Sequence, residues 1–524
     1  MKYANPVIPG FHPDPSCCRV GGDYYLVTSS FEYFPGVPIF HSRDLVHWRP
    51  IGHCLTRESQ LPLAGAKCSG GIYAPTIRFH HGLFYMITTN TSHGGNFIVT
   101  TPDPSGEWSE PVWIDFPGID PSLFFDGASP PQAGATARAS NDGKVYCSGT
   151  GRGGGIWQFE IDVTNGAKFT EPRLVWPGTG GRYPEAPHLY KIRGVYYLMI
   201  AEGGTEYGHM ETIARSASPW GPFEACPRSP ILSHRDYFQS PIQATGHAEL
   251  FEDASGNGWM ALLGIRPKGG RFHHLGRETF LAPVTWDAEG WPVVGNTGRI
   301  EPEMEGPLPE GEGEHEVRPC RDDFETPDLR LCWNFLRNPR AGDWSLTERP
   351  GWLRLRGSAV TLSDLDSPAF VGRRQQHFNC RASCLVEFDP AKENDPPRPL
   401  GASEAGLTVL ANATHHYEIA IRRGDGKRVI FVRRHIGDLT AVVAEETIRS
   451  GPVRLEIAAD EAKYTFSAAL GDGPARPLAT AATRYVSTEV AGGFTGVYLG
   501  MYATGNGRPA SVPADFDWFE YRPS

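Results

Sequence analysis

The stretch Asn5–Thr28 reads NPVIPGFHPDPSCCRVGGDYYLVT, and its order of parts is repeated down the chain. Asp14 stands between Pro13 and Pro15, a glycine turn follows, and an aromatic, β-branched strand signal starts at Asp23. The same grammar returns four times. Lead motifs Asp14-Pro-Ser, Ala74-Pro-Thr, Asp120-Pro-Ser, Glu185-Ala-Pro-His and His247-Ala-Glu each precede a strand signal, at DYYLVTS, GLFYMITT, GKVYCSGT, GVYYLMIA and GWMALLGI. These strands start at 23, 82, 143, 194 and 258, so they fall 59, 61, 51 and 64 residues apart. A period of that size with several short strands per repeat predicts radial repetition, and five repeats predict a five-bladed β-propeller.

That geometry carries a functional expectation. Lead motifs on the innermost strands converge on one axis, so Asp14, Asp120 and Glu185 meet although they are far apart in sequence. Any one of them alone reads first as a turn former. Three carboxylates at equivalent repeat positions favour chemistry.

Later in each repeat come SRDLVHWRPIG, PSGEWSEPVW, GAKFTEPRLVW, SPWGPFEACP and APVTWDAEGWPVV, read as outer strands whose tryptophans are structural. Phe31, Tyr33, Phe34 and Trp48 crowd one segment around Pro35-Gly36; Phe31 suits a sugar face and Trp48 suits blade packing. GTGRGGG at 149–155 lacks the Lys and Ser/Thr of a nucleotide loop and reads as a turn between strands. GGTEYGHMETIARS at 203–216 supplies pocket-rim or blade residues.

The 524 residues suffice for two or more cores. A net charge of -11 without any Lys/Arg block argues against nucleic acid or an anionic membrane as partner. No apolar run is long enough to span a bilayer and MKYANPVIPG has no apolar leader character, so a cytoplasmic protein is expected. Ten cysteines, with Cys17 and Cys18 adjacent and the rest scattered, read as reduced thiols packed as small hydrophobes.

Frequent Gly and Pro and scarce helical periodicity predict an all-β chain of two units. Residues 1–307 hold the propeller, 308–320 form a Pro-, Gly- and Glu-rich linker, and 321–524 restart with alternating strands such as VRLEIAADEAKYTFSAAL, which predict a β-sandwich.

Two carboxylates on opposite sides of a glycosidic oxygen are the minimal machinery for glycoside hydrolysis. Asp14, fixed by its prolines, suits a general base and Glu185 a general acid, with Asp120 raising the acid's pKa by like charge. His247 fits a central water network, a metal on the axis, or a purely structural role. Arg277 offers a rigid fork of donors to a sugar hydroxyl or to these carboxylates.

The combination of NPVIPGFHPDPS, SSFEYFPGVPIFHSRDLVHW, GGIYAPTIRFHHGLFY, GIDPSLFFD, RYPEAPHLYKIRGVYYLM, ATGHAEL and HLGRETFLAPVTW resembles family 43 glycoside hydrolases of the β-xylosidase and α-L-arabinofuranosidase group. VGRRQQHFN, VYLGMYATGNG and FDWFEY resemble that group's accessory domain, of concanavalin or jelly-roll type. The resemblance implies Asp14 as base, Asp120 as pKa modulator and Glu185 as acid. It places the histidine of a GHA motif on His247 and the arginine of a GRE motif on Arg277. Phe31 falls on an aromatic wall of the terminal-sugar subsite, and Tyr73 stands where many relatives carry Trp. The implied activity is inverting, exo-acting release of terminal β-D-xylose from short xylooligosaccharides. The alternatives are an α-L-arabinofuranosidase or an enzyme with both activities and, from another class, a non-catalytic arabinoxylan-binding protein, which the three intact carboxylates oppose. Partners are then xylooligosaccharides or arabinoxylan fragments. No cofactor is required, calcium and a homo-oligomer are options, and a small pocket closed by the second domain is implied.

Overall fold

Each of the five repeats folds as one antiparallel sheet whose strands keep chain order from the axis outward. The first sheet holds Ser16–Val20, Asp23–Val27, Gly36–Ser42 and Arg49–Leu55. The second, third and fourth begin with Ile72–His80, Gly118–Asp126 and Glu185–Ile192, and the fifth runs Gln243–Glu252, Gly258–Ile265, Glu278–Trp286 and Pro292–Val294. The five leading strands neighbour one another in a closed ring. This is the five-bladed propeller expected from the repeat. The aromatic strand signals are the second strand of every blade. Val195–Glu202, buried along almost its whole length, shows why such strands are continuously apolar: a neighbouring blade covers each of its faces.

This computed structural model describes residues 1–127, 143–311, 320–390, 401–424, 426–471 and 473–524. Most of the expected linker, 312–319, lies outside the described residues.

The opening stretch closes the ring. Lys2–Ala4 pairs with Glu303–Glu305, beyond the fifth blade, and Ile8 bridges to Thr279. Asn5 exchanges two side-chain hydrogen bonds of 3.0 Å with the backbone of Leu281. The turn read at 149–155 is shorter in the structure: residues 149–151 finish the strand Lys144–Gly151, and 152–155 turn into Ile156–Glu160.

Beyond the propeller, an eight-stranded and a six-stranded antiparallel sheet pack face to face around a large apolar core. Tyr498–Thr504 shows the two-residue period at work. Leu499, Met501 and Ala503 enter the sandwich core, whereas Tyr498 and Tyr502 join Phe11, Phe31 and Tyr33 of the propeller. The central strands Tyr498–Thr504 and Glu404–Asn412 of the six-stranded sheet are therefore buried on both sides, whereas its edge strand Leu439–Thr447 is largely exposed. Tyr33 and Tyr498 stack at 3.9 Å and 10° across this boundary, an arrangement worth about 1 kcal/mol beyond its area. Tyr33–Phe34 also pairs with Phe335–Leu336, and the buried Arg337 donates to the carbonyls of Ala66 and Asp366 at 2.7 Å each.

Among the described residues the only α-helix is Thr488–Ala491. No helix there is long and apolar enough to cross a membrane. All ten cysteines are free; Cys17 and Cys18 are buried, and burial pushes both thiols up, away from the reactive thiolate.

Candidate active site

The lead motifs bring their side chains together by a shared backbone irregularity. Register shifts interrupt the leading strands at Tyr73/Thr76, Ile119/Ser122, Glu185/His188 and Gln243/Glu249. Left-handed φ values accompany the last three, 52° at Asp120, 53° at Ala186 and 47° at His247, and Asp14, just ahead of the first blade's leading strand, has φ 55°. Bulges of this kind re-aim side chains, and Asp accepts the left-handed region more readily than most residues. Every blade thus carries one or both of these irregularities at its lead motif.

Asp14 is the most tightly held group. It accepts hydrogen bonds from Ser29 Oγ at 2.6 Å and Arg277 Nη1 at 2.9 Å, and His247 Nδ1 lies 3.5 Å away. Burial alone would raise this carboxyl; Arg277, His247, Ser29 and His209 outweigh it and hold the group below its ordinary value. Asp120 behaves oppositely. Burial, then the charges of Glu185 and Asp14, push it well up, and the Ala186 N–H and Arg277 offset this only in part. Burial pushes Glu185 up to about 7, with Asp14 adding and Arg277 opposing. One guanidinium faces three carboxylates, so Asp14 keeps its charge while Asp120 and Glu185, both raised, favour their protonated forms.

Arg277 is anchored on several sides. Its Nη1 also donates to Thr205 Oγ1 at 3.2 Å, and its guanidinium lies 5.6 Å from the Phe31 ring centre and 5.5 Å from that of Phe494. Phe31, at φ 49°, also meets Tyr73 at 5.1 Å, and the Tyr73 hydroxyl donates to the Ser69 carbonyl at 2.8 Å. Burial, only partly opposed by Asp14, lowers His247, leaving it neutral near pH 7. Buried His209 is held by the Ala244 carbonyl at 3.1 Å and is pushed down to about 3. Beneath the site, Arg78 joins blades by contacting Glu249 at 2.5 Å and His188 at 3.2 Å.

The structure therefore brings together all seven residues singled out from the sequence: Asp14, Asp120 and Glu185, with Phe31, Tyr73, His247 and Arg277 around them. Sequence reasoning missed Ser29, His209, Thr205 and Phe494. Thr205 falls in the rim segment 203–216, but Phe494 comes from the second unit and carried no motif. Its position depends on a close approach of two glycines. A Cβ on Gly276, at φ 86°, would stand 2.9 Å from the Gly496 Cα, and the Phe494 N–H donates to Ser69 Oγ at 2.8 Å. The sandwich thus supplies one wall of the site. No group of three or more His, Cys, Asp or Glu among the described residues is arranged to hold a metal ion.

A buried cluster with one ionised carboxylate, a raised carboxyl beside it and aromatic walls suits acid–base attack of water on a sugar acetal. Comparison with known proteins agrees. Residues 3–292 match the family described as Glycosyl hydrolases family 43, and residues 321–522 the Beta xylosidase C-terminal Concanavalin A-like domain. The chain is 47% identical, over 99% of its length and 94% of the relative's, to the Bacteroides ovatus protein named Non-reducing end alpha-L-arabinofuranosidase BoGH43B. It is 40% identical to a Xylosidase/arabinosidase of Butyrivibrio fibrisolvens, with 98% of each chain covered. A solved structure titled Bacteroides ovatus Xyloglucan PUL GH43B superposes with a TM-score of 0.93 at 46% identity, covering both chains fully.

Proposed function

The chain belongs to glycoside hydrolase family 43 and is a glycosidase of the inverting type; on that premise we propose that it releases terminal α-L-arabinofuranose from the non-reducing end of oligosaccharides. β-D-Xylose is its second substrate. The observation that carries the order of these sugars is the full-length likeness to an enzyme named for α-L-arabinofuranose, followed by one named for both activities. The β-xylosidase expected first from the motifs becomes the lesser activity, because those motifs are shared by enzymes for both sugars.

In this reading Asp14 takes a proton from the attacking water as its oxygen bonds to the anomeric carbon. Glu185 gives its proton to the leaving oxygen as the glycosidic bond breaks, and solvent resets both groups. Arg277 keeps Asp14 ionised and placed, and His247 stands beside it. Phe31, Tyr73 and Phe494 wall the terminal sugar, which favours removal of single sugars. Oligosaccharides of xylan or arabinoxylan type are the partners. The test is kcat/KM on a xylooligosaccharide bearing one terminal α-L-arabinofuranose against xylobiose. The reading expects the arabinoside to be the better substrate; release of xylose alone returns the enzyme to a β-xylosidase, and no turnover of either favours a sugar-binding protein.

The pH profile follows from the two carboxyls. Activity needs Asp14 ionised and Glu185 protonated, so kcat/KM falls on the acid side only below the ordinary carboxylate range and on the alkaline side near 7. Asp120→Asn replaces by a neutral amide a carboxyl whose ionisation and that of Glu185 oppose each other by like charge. The alkaline limb of kcat/KM is expected to move about one unit lower. A limb that stays in place while kcat drops makes Asp120 an orienting group only.

A further inference from the structure

The chain runs into Glu185 through a loop that is fastened from behind. Buried Glu202 accepts hydrogen bonds from the Thr179 N–H at 2.5 Å, the Thr179 hydroxyl at 2.7 Å and the Gly181 N–H at 3.0 Å. The Gly203 N–H then donates to the Arg182 carbonyl at 2.6 Å. What this loop presents is Tyr183. Its backbone sits at φ 51°, in the region L-residues avoid, yet its side chain is 58% exposed. The Arg182 guanidinium stacks 4.8 Å from the ring centre and donates to the ring hydroxyl at 3.1 Å. Gly204 makes room for the ring, since a Cβ there would stand 2.9 Å from Tyr183 Cδ2. The next residue is Thr205, which touches Arg277.

A strained backbone that holds an aromatic ring open to water, two residues before the acid, is the kind of outlier from which function is inferred. The direction of the site says which function. Of the three carboxylates, Asp14 and Asp120 are 4% and 6% exposed whereas Glu185 is only partly buried, so solvent reaches the site beside Glu185. The leaving oxygen must lie within hydrogen-bond reach of its acid. The sugar attached to that oxygen then extends out on the same side, towards Tyr183.

We propose that Tyr183 is the platform for the first leaving-group sugar, stacking its ring against the C–H face of a β-linked pyranose of a polysaccharide backbone. This rests on the reading of Glu185 as the acid. Tyr183 is a specificity-determining residue: it distinguishes a terminal sugar carried on a pyranose chain from the same sugar on a small alcohol.

The test compares kcat/KM on a xylotriose bearing a terminal α-L-arabinofuranose with kcat/KM on methyl α-L-arabinofuranoside, which has no leaving-group sugar. In Tyr183→Ala the ratio of the two is expected to fall about tenfold, and in Tyr183→Phe to stay near that of the parent enzyme. Thermal midpoints of all three proteins separate a folding defect from a binding one. An unchanged ratio in Tyr183→Ala, or an equal loss on both substrates, overturns the proposal. Should the parent enzyme cleave neither arabinoside, the arabinofuranosidase reading has failed. The same ratio is then measured with xylobiose and methyl β-D-xyloside, where a tenfold fall supports the platform and an unchanged ratio overturns it.

Discussion

Asp14→Asn is expected to lower kcat/KM by roughly three to four orders of magnitude, on substrates with good and poor leaving groups alike. The amide keeps the shape of the side chain, so Ser29 and Arg277 retain a partner at 14, but it takes no proton from water. It also removes the only carboxylate of the three that the surroundings hold ionised, since burial and like charge raise both Asp120 and Glu185. Neither of those groups substitutes as a base at neutral pH. Because attack of water is impaired whatever departs, a nitrophenyl leaving group does not rescue the variant. Kinetics on an aryl glycoside and on an oligosaccharide, with sugar binding followed by calorimetry, check this. Rescue by the better leaving group contradicts the base assignment.

Glu185→Gln is expected to be nearly as damaging on oligosaccharides, again about 10³- to 10⁴-fold in kcat/KM. Here the leaving group decides. A sugar alkoxide is a strong base and departs only as it receives a proton, whereas a dinitrophenolate departs unprotonated, so the loss on a dinitrophenyl glycoside shrinks to about tenfold. The alkaline limb near pH 7 disappears from the variant's profile on that substrate, because the group pushed up to about 7 is gone. Equal losses on both substrates place the acid elsewhere. Together the two substitutions form a contrast: one is blind to the leaving group and the other is governed by it.

These assignments were readable because propeller repeats index the axis. Asp14, Asp120, Glu185 and His247 occupy equivalent places in their repeats, and a closed ring of leading strands brings equivalent places together. Residue type then limits the chemistry. The bulges that turn these side chains inward were not readable, since a left-handed φ at Asp120 or Ala186 is a property of the folded backbone. Nor was Phe494, which reaches Arg277 only because the sandwich docks with Gly496 against Gly276. Ser29 opens a quoted motif, yet nothing in a lone serine marks it as the partner of Asp14. The preferred sugar was obscured for a related reason. Pentopyranose and pentofuranose differ in where their hydroxyls point, and that is fixed by angles between walls contributed by two units of the chain.

The most direct measurement of the account is proton NMR of the sugar as it is released, recorded in the first minutes of cleavage of an oligosaccharide with a terminal α-L-arabinofuranose. Water activated by Asp14 on the face opposite Glu185 must deliver β-L-arabinofuranose first, with the α-anomer appearing only as the product mutarotates. First-formed α-L-arabinofuranose would mean a covalent glycosyl intermediate and would contradict the roles of both carboxylates.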